Sequence, residues 1–169
     1  SINLALSELC SISMLQTPPL LRRPINTRVE YYDDGLIRSA IAFEVGRGGQ
    51  VFFVHNDITS IKNVVRRLRS FFPDYSIKYI HGQEPSANIE NKMASFVLGK
   101  IDVLVCTSII ESGIDVPAAN CIIINQSQLF GLSQLYQMRG RVGRGRTQAY
   151  AYLLVPRNTS LSEKALKRI

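Results

Sequence analysis

The chain has no GxxxxGK[ST] signature, so it carries no loop of its own to cradle nucleotide phosphates and hold magnesium through a hydroxyl. Its Gly-Lys pair, Gly99-Lys100, has Ala94 where the upstream glycine should stand. No acidic pair follows an apolar run to bind magnesium and direct water. By itself, then, the chain is not expected to hydrolyse a nucleotide. Cysteine is scarce: Cys10, Cys106 and Cys121 are widely spaced and form no CxxC. That supports neither a disulfide framework nor a zinc site, and fits a reducing, cytoplasmic setting. His55 and His81 have no partner at catalytic or metal-ligand spacing, so no metal site is expected. No apolar run approaches the ~18 residues of a membrane span, and no signal peptide opens the chain. Acidic residues are the minority, 13 against 20 basic, which leaves a net charge of +7. That excess favours a polyanionic partner; the bland alternative is a basic, solvated surface.

What is present begins with length and core. The chain has 169 residues, 46% of them hydrophobic, enough for one domain with a proper interior. Its most informative stretch is Gln134–Arg146, QLYQMRGRVGRGR. Arg139, Arg141, Arg144 and Arg146 alternate there with Gly140, Gly143 and Gly145. Leu132, Leu135, Tyr136 and Arg139 fall at helical spacing and predict an amphipathic turn that delivers the arginines. In a helical conformation Arg141 and Arg144 would share one face. Guanidinium groups grip phosphate oxygens bidentately and keep their charge at physiological pH.

Read in order, the chain alternates strands and helices. Apolar Ile2–Met14 and the proline-bearing connector Gln16–Thr27 precede a first strand at Thr27–Tyr32. Asp33 or Asp34 is expected to cap a helix that Gly46, Gly48 and Gly49 stop. Gln50–His55 is a continuous apolar run, as in a strand buried on both faces. Asn56 or Asp57 is expected to cap the next helix, with Ile61, Val65 and Leu68 inward. Further strands are predicted at Ile77–His81, Ile101–Cys106, Cys121–Asn125 and Ala149–Val155, with a helix capped by Ser86 and another starting near Leu161. The pattern predicts an α/β domain: a mainly parallel sheet with helices on both faces. The chain opens at Ser1 without methionine and stops mid-pattern at Ile169, so a fragment of a larger protein is expected.

In such sheets ligands gather at the carboxyl ends of strands. The loops there are His55–Asn56, His81–Glu84, Thr107–Asp115 (which includes Glu111) and Asn125–Gly131. They could bind a phosphate–sugar backbone, although any such sheet has polar loops at that edge. An arginine role in phosphoryl transfer is expected to bring Arg141 and Arg144 out of the core and toward this same edge.

CTSIIESGIDVP followed by QMRGRVGRGR resembles motifs V and VI of the superfamily 2 helicases and translocases. QVFFVHN resembles motif IV, and the turn IHGQ sits where a nucleic-acid-contacting motif occurs. Order and spacing fit the second RecA-like lobe, so a three-layer RecA-like fold is implied. The connector, the FGLSQLYQMRGRVGR run and the YAYLL strand are most similar to the transcription–repair coupling branch, with the RecG type next. The resemblance implies a division into 1–26 (tail of the first lobe and connector), 27–157 (second lobe) and 158–169 (start of a translocation hairpin). It implies that Arg141 and Arg144 are arginine fingers reaching ATP whose magnesium is held mainly by the absent first lobe. Gln137, Gly113 and Asp115 would lie at the nucleotide, and Thr107, Gly82, Gln83 and Asn56 against double-stranded DNA. Arg139 departs from the apolar residue common there in the superfamily. RNA polymerase and excision-repair proteins are implied as partners through regions not present here. Two other readings stay open: a non-enzymatic basic nucleic-acid-binding domain, and a small-molecule enzyme on a dinucleotide-type sheet, which lacks the glycine fingerprint after its first strand.

Overall fold

The computed structural model describes residues 23–107 and 116–158. The expectations for Ile2–Met14, for most of the connector, for Glu111, Gly113 and Asp115, and for the helix near Leu161 lie outside the described residues.

The elements run β1 (Asn26–Tyr31), α1 (Asp34–Gly46), β2 (Gln50–Val54), α2 (Ile61–Phe71), β3 (Ile77–Ile80), α3 (Ser86–Val97), β4 (Val103–Cys106), β5 (Ala119–Ile124), α4 (Leu132–Arg139) and β6 (Tyr150–Val155). All strands pair in parallel in one six-stranded sheet of order β1-β6-β5-β2-β4-β3. Alternate side chains point to opposite faces of a strand, and the sequence uses both. Phe52, Leu104, Ile122 and Leu153 face α3 and α4 through Phe96, Leu135 and Met138. Val51, Phe53, Val105 and Ile123 face α1 and α2 through Ile37, Ile41, Val65 and Leu68. Helices therefore cover both faces, as a sheet of continuous apolar strands requires.

Two capping expectations change. Asp33 caps α1 as predicted, accepting from the Gly35 N–H at 3.0 Å. Neither Asn56 nor Asp57 caps α2, which starts only at Ile61 behind Ser60. Asp57 instead closes its own turn, accepting from the Thr59 N–H at 3.0 Å and from the Thr59 hydroxyl at 2.7 Å. The local turn outcompetes the helix, as short polar side chains allow. Ser86 is the first residue of α3, behind Pro85, rather than its cap. A register shift between Gln50 and Val51 leaves Asn120 as the extra residue of β5.

Candidate nucleic-acid and nucleotide interfaces

With every strand parallel, one edge of the sheet carries all the carboxyl ends. Along β5-β2-β4-β3 it presents Asn125, His55 with Asn56, Thr107, and His81 through Gln83 as neighbours. At about 4.8 Å per strand this row is about 14 Å long. Asn56, Gly82 and Gln83 are exposed, whereas Thr107 is buried at the end of β4.

The row is braced from behind. Gln83 N–H donates to His81 Nδ1 at 3.2 Å, and the His81 ring stacks 5.9 Å from Tyr79. Lys92 reaches from α3 to the Tyr79 carbonyl at 2.7 Å and to Glu84 Oε1 at 3.1 Å, with its ammonium 4.6 Å from the Tyr79 ring centre. At the central pair of strands, Asn125 Nδ2 lies 3.0 Å from His55 Nδ1, and His55 Nε2 lies 2.7 Å from Ser60 Oγ. Ser60 Oγ in turn donates to Asp57 Oδ2 at 2.7 Å. Burial lowers the His55 pKa against the attraction of Asp57. Spacing along the chain gives neither histidine a partner of catalytic or metal-binding type, yet both are tied in at the strand ends. Their signal was position: His55 and Asn125 are the first polar residues after apolar strands that prove to be neighbours.

The arginine loop is at the other edge, contrary to expectation. α4 follows a strand and runs back along the sheet, so its end returns the chain to the amino ends of the strands. A Cβ on Gly143 would meet Ile25 and Ala149, each at 3.1 Å, and one on Gly145 would lie 3.9 Å from the Pro117 carbonyl. Ile25 and Ala149 immediately precede β1 and β6, and Pro117 lies two residues before β5. The loop is not helical either: α4 ends at Arg139, and Gly143 has φ +76°. Arg141 and Arg144 therefore share no helix face. Val142 is buried and anchors the loop; Arg141 is half-buried, and Arg144 and Arg146 are exposed. Arg139 behaves differently, being 4% exposed with its guanidinium 4.9 Å from the Tyr136 ring centre. Gln137 is exposed on α4.

A cavity of about 300 Å³ adjoins this loop, lined by Thr147, Pro117, Ala118, Asn120 and the Glu44–Gly49 turn. Glu44 is 1% exposed and pairs with Arg47, whose Nη2 also donates to the Gln148 carbonyl at 2.5 Å. Burial raises the Glu44 pKa, and Arg47 opposes the rise. Among the described residues no group of three or more His, Cys, Asp or Glu side chains could hold a metal, and no helix is long and apolar enough to cross a membrane.

An all-parallel six-stranded sheet with helices on both faces, and an arginine- and glycine-bearing loop at one edge, has the architecture of a RecA-like lobe. Residues 34–146 match the helicase conserved C-terminal domain, and the chain belongs to that family. It is 46% identical over its full 169 residues to the transcription-repair-coupling factor of Myxococcus xanthus, and 43% to that of Escherichia coli. It is 44% identical to a chloroplastic ATP-dependent DNA helicase of Arabidopsis thaliana. The chain spans 14%, 15% and 20% of those relatives. Among solved structures, RecG bound to a three-way DNA junction superposes with a TM-score of 0.74 at 35% identity, covering 90% of this chain and 20% of that one. Domain 2 of the DEAD-box helicase Mss116p, bound to an RNA duplex, shares the fold at a TM-score of 0.65 and 17% identity, covering 79% of this chain and 56% of that one.

Proposed function

We propose that this chain is the second motor lobe of an ATP-driven double-stranded-DNA translocase acting in transcription-coupled repair. Arg141 and Arg144 act as arginine fingers on ATP that the first lobe binds with its magnesium. Gln137, Gly113 and Asp115 belong to the same nucleotide cleft. Thr107, Gly82, Gln83 and Asn56 contact the tracked strand. Residues 1–26 lead from the first lobe, 27–157 form this lobe, and 158–169 begin a translocation hairpin. RNA polymerase and excision-repair proteins engage other parts of the whole protein, which works in the cytoplasm.

The arginines lie away from the carboxyl edge, against the placement expected of the finger role; what supports the motor reading is the helicase C-terminal match over residues 34–146, together with two candidate sites held apart on one sheet. The exposed arginines hang from the amino edge, and the polar row occupies the carboxyl edge. A six-residue central strand such as β5 sets them about 20 Å apart across a stiff sheet. Closing the arginine edge on a triphosphate would swing the lobe as one body and move the other edge along DNA. Laid along the duplex axis, a row about 14 Å long covers about four nucleotide steps of one strand at 3.4 Å of axis each.

The test is Arg144→Ala in the complete motor. Removing a finger is expected to lower ATP turnover in saturating DNA by about 10³-fold or more. Unchanged turnover would remove the finger role. A RecG-type branched-DNA helicase lobe is the second reading, favoured by the RecG superposition. Displacement of a stalled polymerase by the whole protein, against preferential action on three-way junctions, separates the two. A purely binding domain would instead give the isolated chain salt-steep DNA affinity, with a slope near −0.9 per phosphate contacted.

A further inference from the structure

The His55 tie has a defined proton arrangement. Asn125 Oδ1 accepts the Gln126 N–H at 3.0 Å, which fixes the amide so that Nδ2 faces His55 as a donor. His55 Nδ1 must then accept, and the ring proton sits on Nε2, where it donates to Ser60 Oγ at 2.7 Å. The Ser60 hydroxyl donates in turn to Asp57 Oδ2, and Asp57 Oδ1 accepts from the Thr59 N–H. One unbroken chain of donors therefore runs from the loop after β5, through the loop after β2, to the start of α2. The backbone reinforces it: Asn125 N–H donates to the Val54 carbonyl at 2.9 Å, and His55 N–H to the Cys106 carbonyl at 2.8 Å. Asn56 is the exposed residue held between His55 and Asp57, whose N–H donates back to the His55 carbonyl at 2.9 Å.

We propose that His55 is a positioning residue for the nucleic-acid edge, pinning the Asn56–Ser60 turn to Asn125 through a tie that only the neutral imidazole can make. This rests on the motor reading above. Protonation turns Nδ1 into a donor facing the Asn125 donor. Turning the Asn125 amide to compensate would set its NH₂ against the Gln126 N–H. Gln126 sits in the left-handed region at φ 50°, a conformation that needs such local support. The imidazolium therefore costs either the tie or the Gln126 turn. Burial and the two neutral partners favour the uncharged ring, and Asp57 alone favours the imidazolium. Asp57 is the charged neighbour that opposes burial, Ser60 and Asn125 are neutral, and the Cys106 thiol one strand away is pushed up to about 12.

The test uses the complete motor and duplex DNA, reading the DNA concentration for half-maximal ATPase stimulation. His55→Ala leaves Asn125 and Ser60 without their partner and is expected to raise that concentration about tenfold at pH 7.5, one unmade buried hydrogen bond. His55→Asn keeps an acceptor toward Asn125 that cannot be protonated. It should stay within about threefold of wild type, again roughly the worth of one weaker bond. It should also erase the part of the wild-type rise that appears below pH 6.5. An unchanged DNA requirement in His55→Ala, or an acid-side rise that persists undiminished in His55→Asn, overturns the proposal. A wild-type motor whose ATPase ignores DNA overturns the motor reading instead, before His55 is tested.

Discussion

Gly143 packs against Ile25: a Cβ at position 143 would lie 3.1 Å from Ile25 Cγ1. Position 25 leads into the first strand, so this contact fixes the arginine loop to the amino edge of the sheet. The loop can lie there because Gly143 adopts φ +76°, which an L side chain rarely tolerates, and because Val142 is buried beside it. Arg141 and Arg144 are thus carried on a rigid bend, away from the polar row at the carboxyl edge.

Arg139, the last residue of α4, and Arg144, in the loop beyond it, are expected to separate by role. Arg139 is buried over Tyr136, so Arg139→Ala should lower the unfolding free energy by about 1–3 kcal/mol, within the usual cost of emptying a packed site. Arg144 is exposed, so Arg144→Ala should change stability by about 0.5 kcal/mol or less. Thermal unfolding checks both. Equal losses of stability would mean that the loop is one structural unit and that Arg144 also helps to hold it.

Gly49→Ala should be markedly destabilising. Its new methyl would fall 2.0 Å from Glu44 Oε1, and Glu44 is buried in its pair with Arg47. Forcing that carboxylate aside costs about 3 kcal/mol, the lower end of breaking a buried pair. For a lobe of this size the melting temperature should drop by roughly 6–10 °C. Differential scanning calorimetry gives the answer, and a drop of only a degree would mean that Glu44 has room to move.

Cys106 and Cys121 should be inert to thiol reagents in the folded state. Both are fully buried; burial pushes the Cys106 thiol up to about 12 and that of Cys121 higher still. The thiolate is the reactive species, so alkylation should follow unfolding rather than reagent concentration. Peptide mass spectrometry after timed iodoacetamide exposure resolves the two sites. Rapid native labelling of either would mean that the sheet opens locally.

Two buried groups give stability opposite dependences on pH. The Glu44 pKa is raised by burial, so the folded state binds its proton more tightly than the unfolded chain does. Its contribution is largest in acid and is lost as pH rises above 4.5 through the folded value. The His55 pKa is lowered by burial, so its contribution is complete above 6.5 and is lost as pH falls below that. Melting curves between pH 4 and pH 8 should show wild type losing ground to Glu44→Gln as pH rises, and to His55→Asn as it falls. Parallel curves would mean that neither group titrates differently on folding.

From residues alone, the alternation of apolar strands with amphipathic helices determined the layered parallel fold, because period and length are local properties. The resemblance to helicase motifs pointed to the family in the same way, since those motifs are short and contiguous. Strand order, the extra residue at Asn120 and the late start of α2 were decided only by tertiary structure, through pairings distant in sequence and a turn that competes with a helix. So was the composition of the polar row at the carboxyl edge. The return of Arg141 and Arg144 to the amino edge is already implied once the sheet is parallel, where each helix must return the chain to the edge at which the next strand begins. But sequence order cannot say that His55 and Asn125, seventy positions apart, end neighbouring strands.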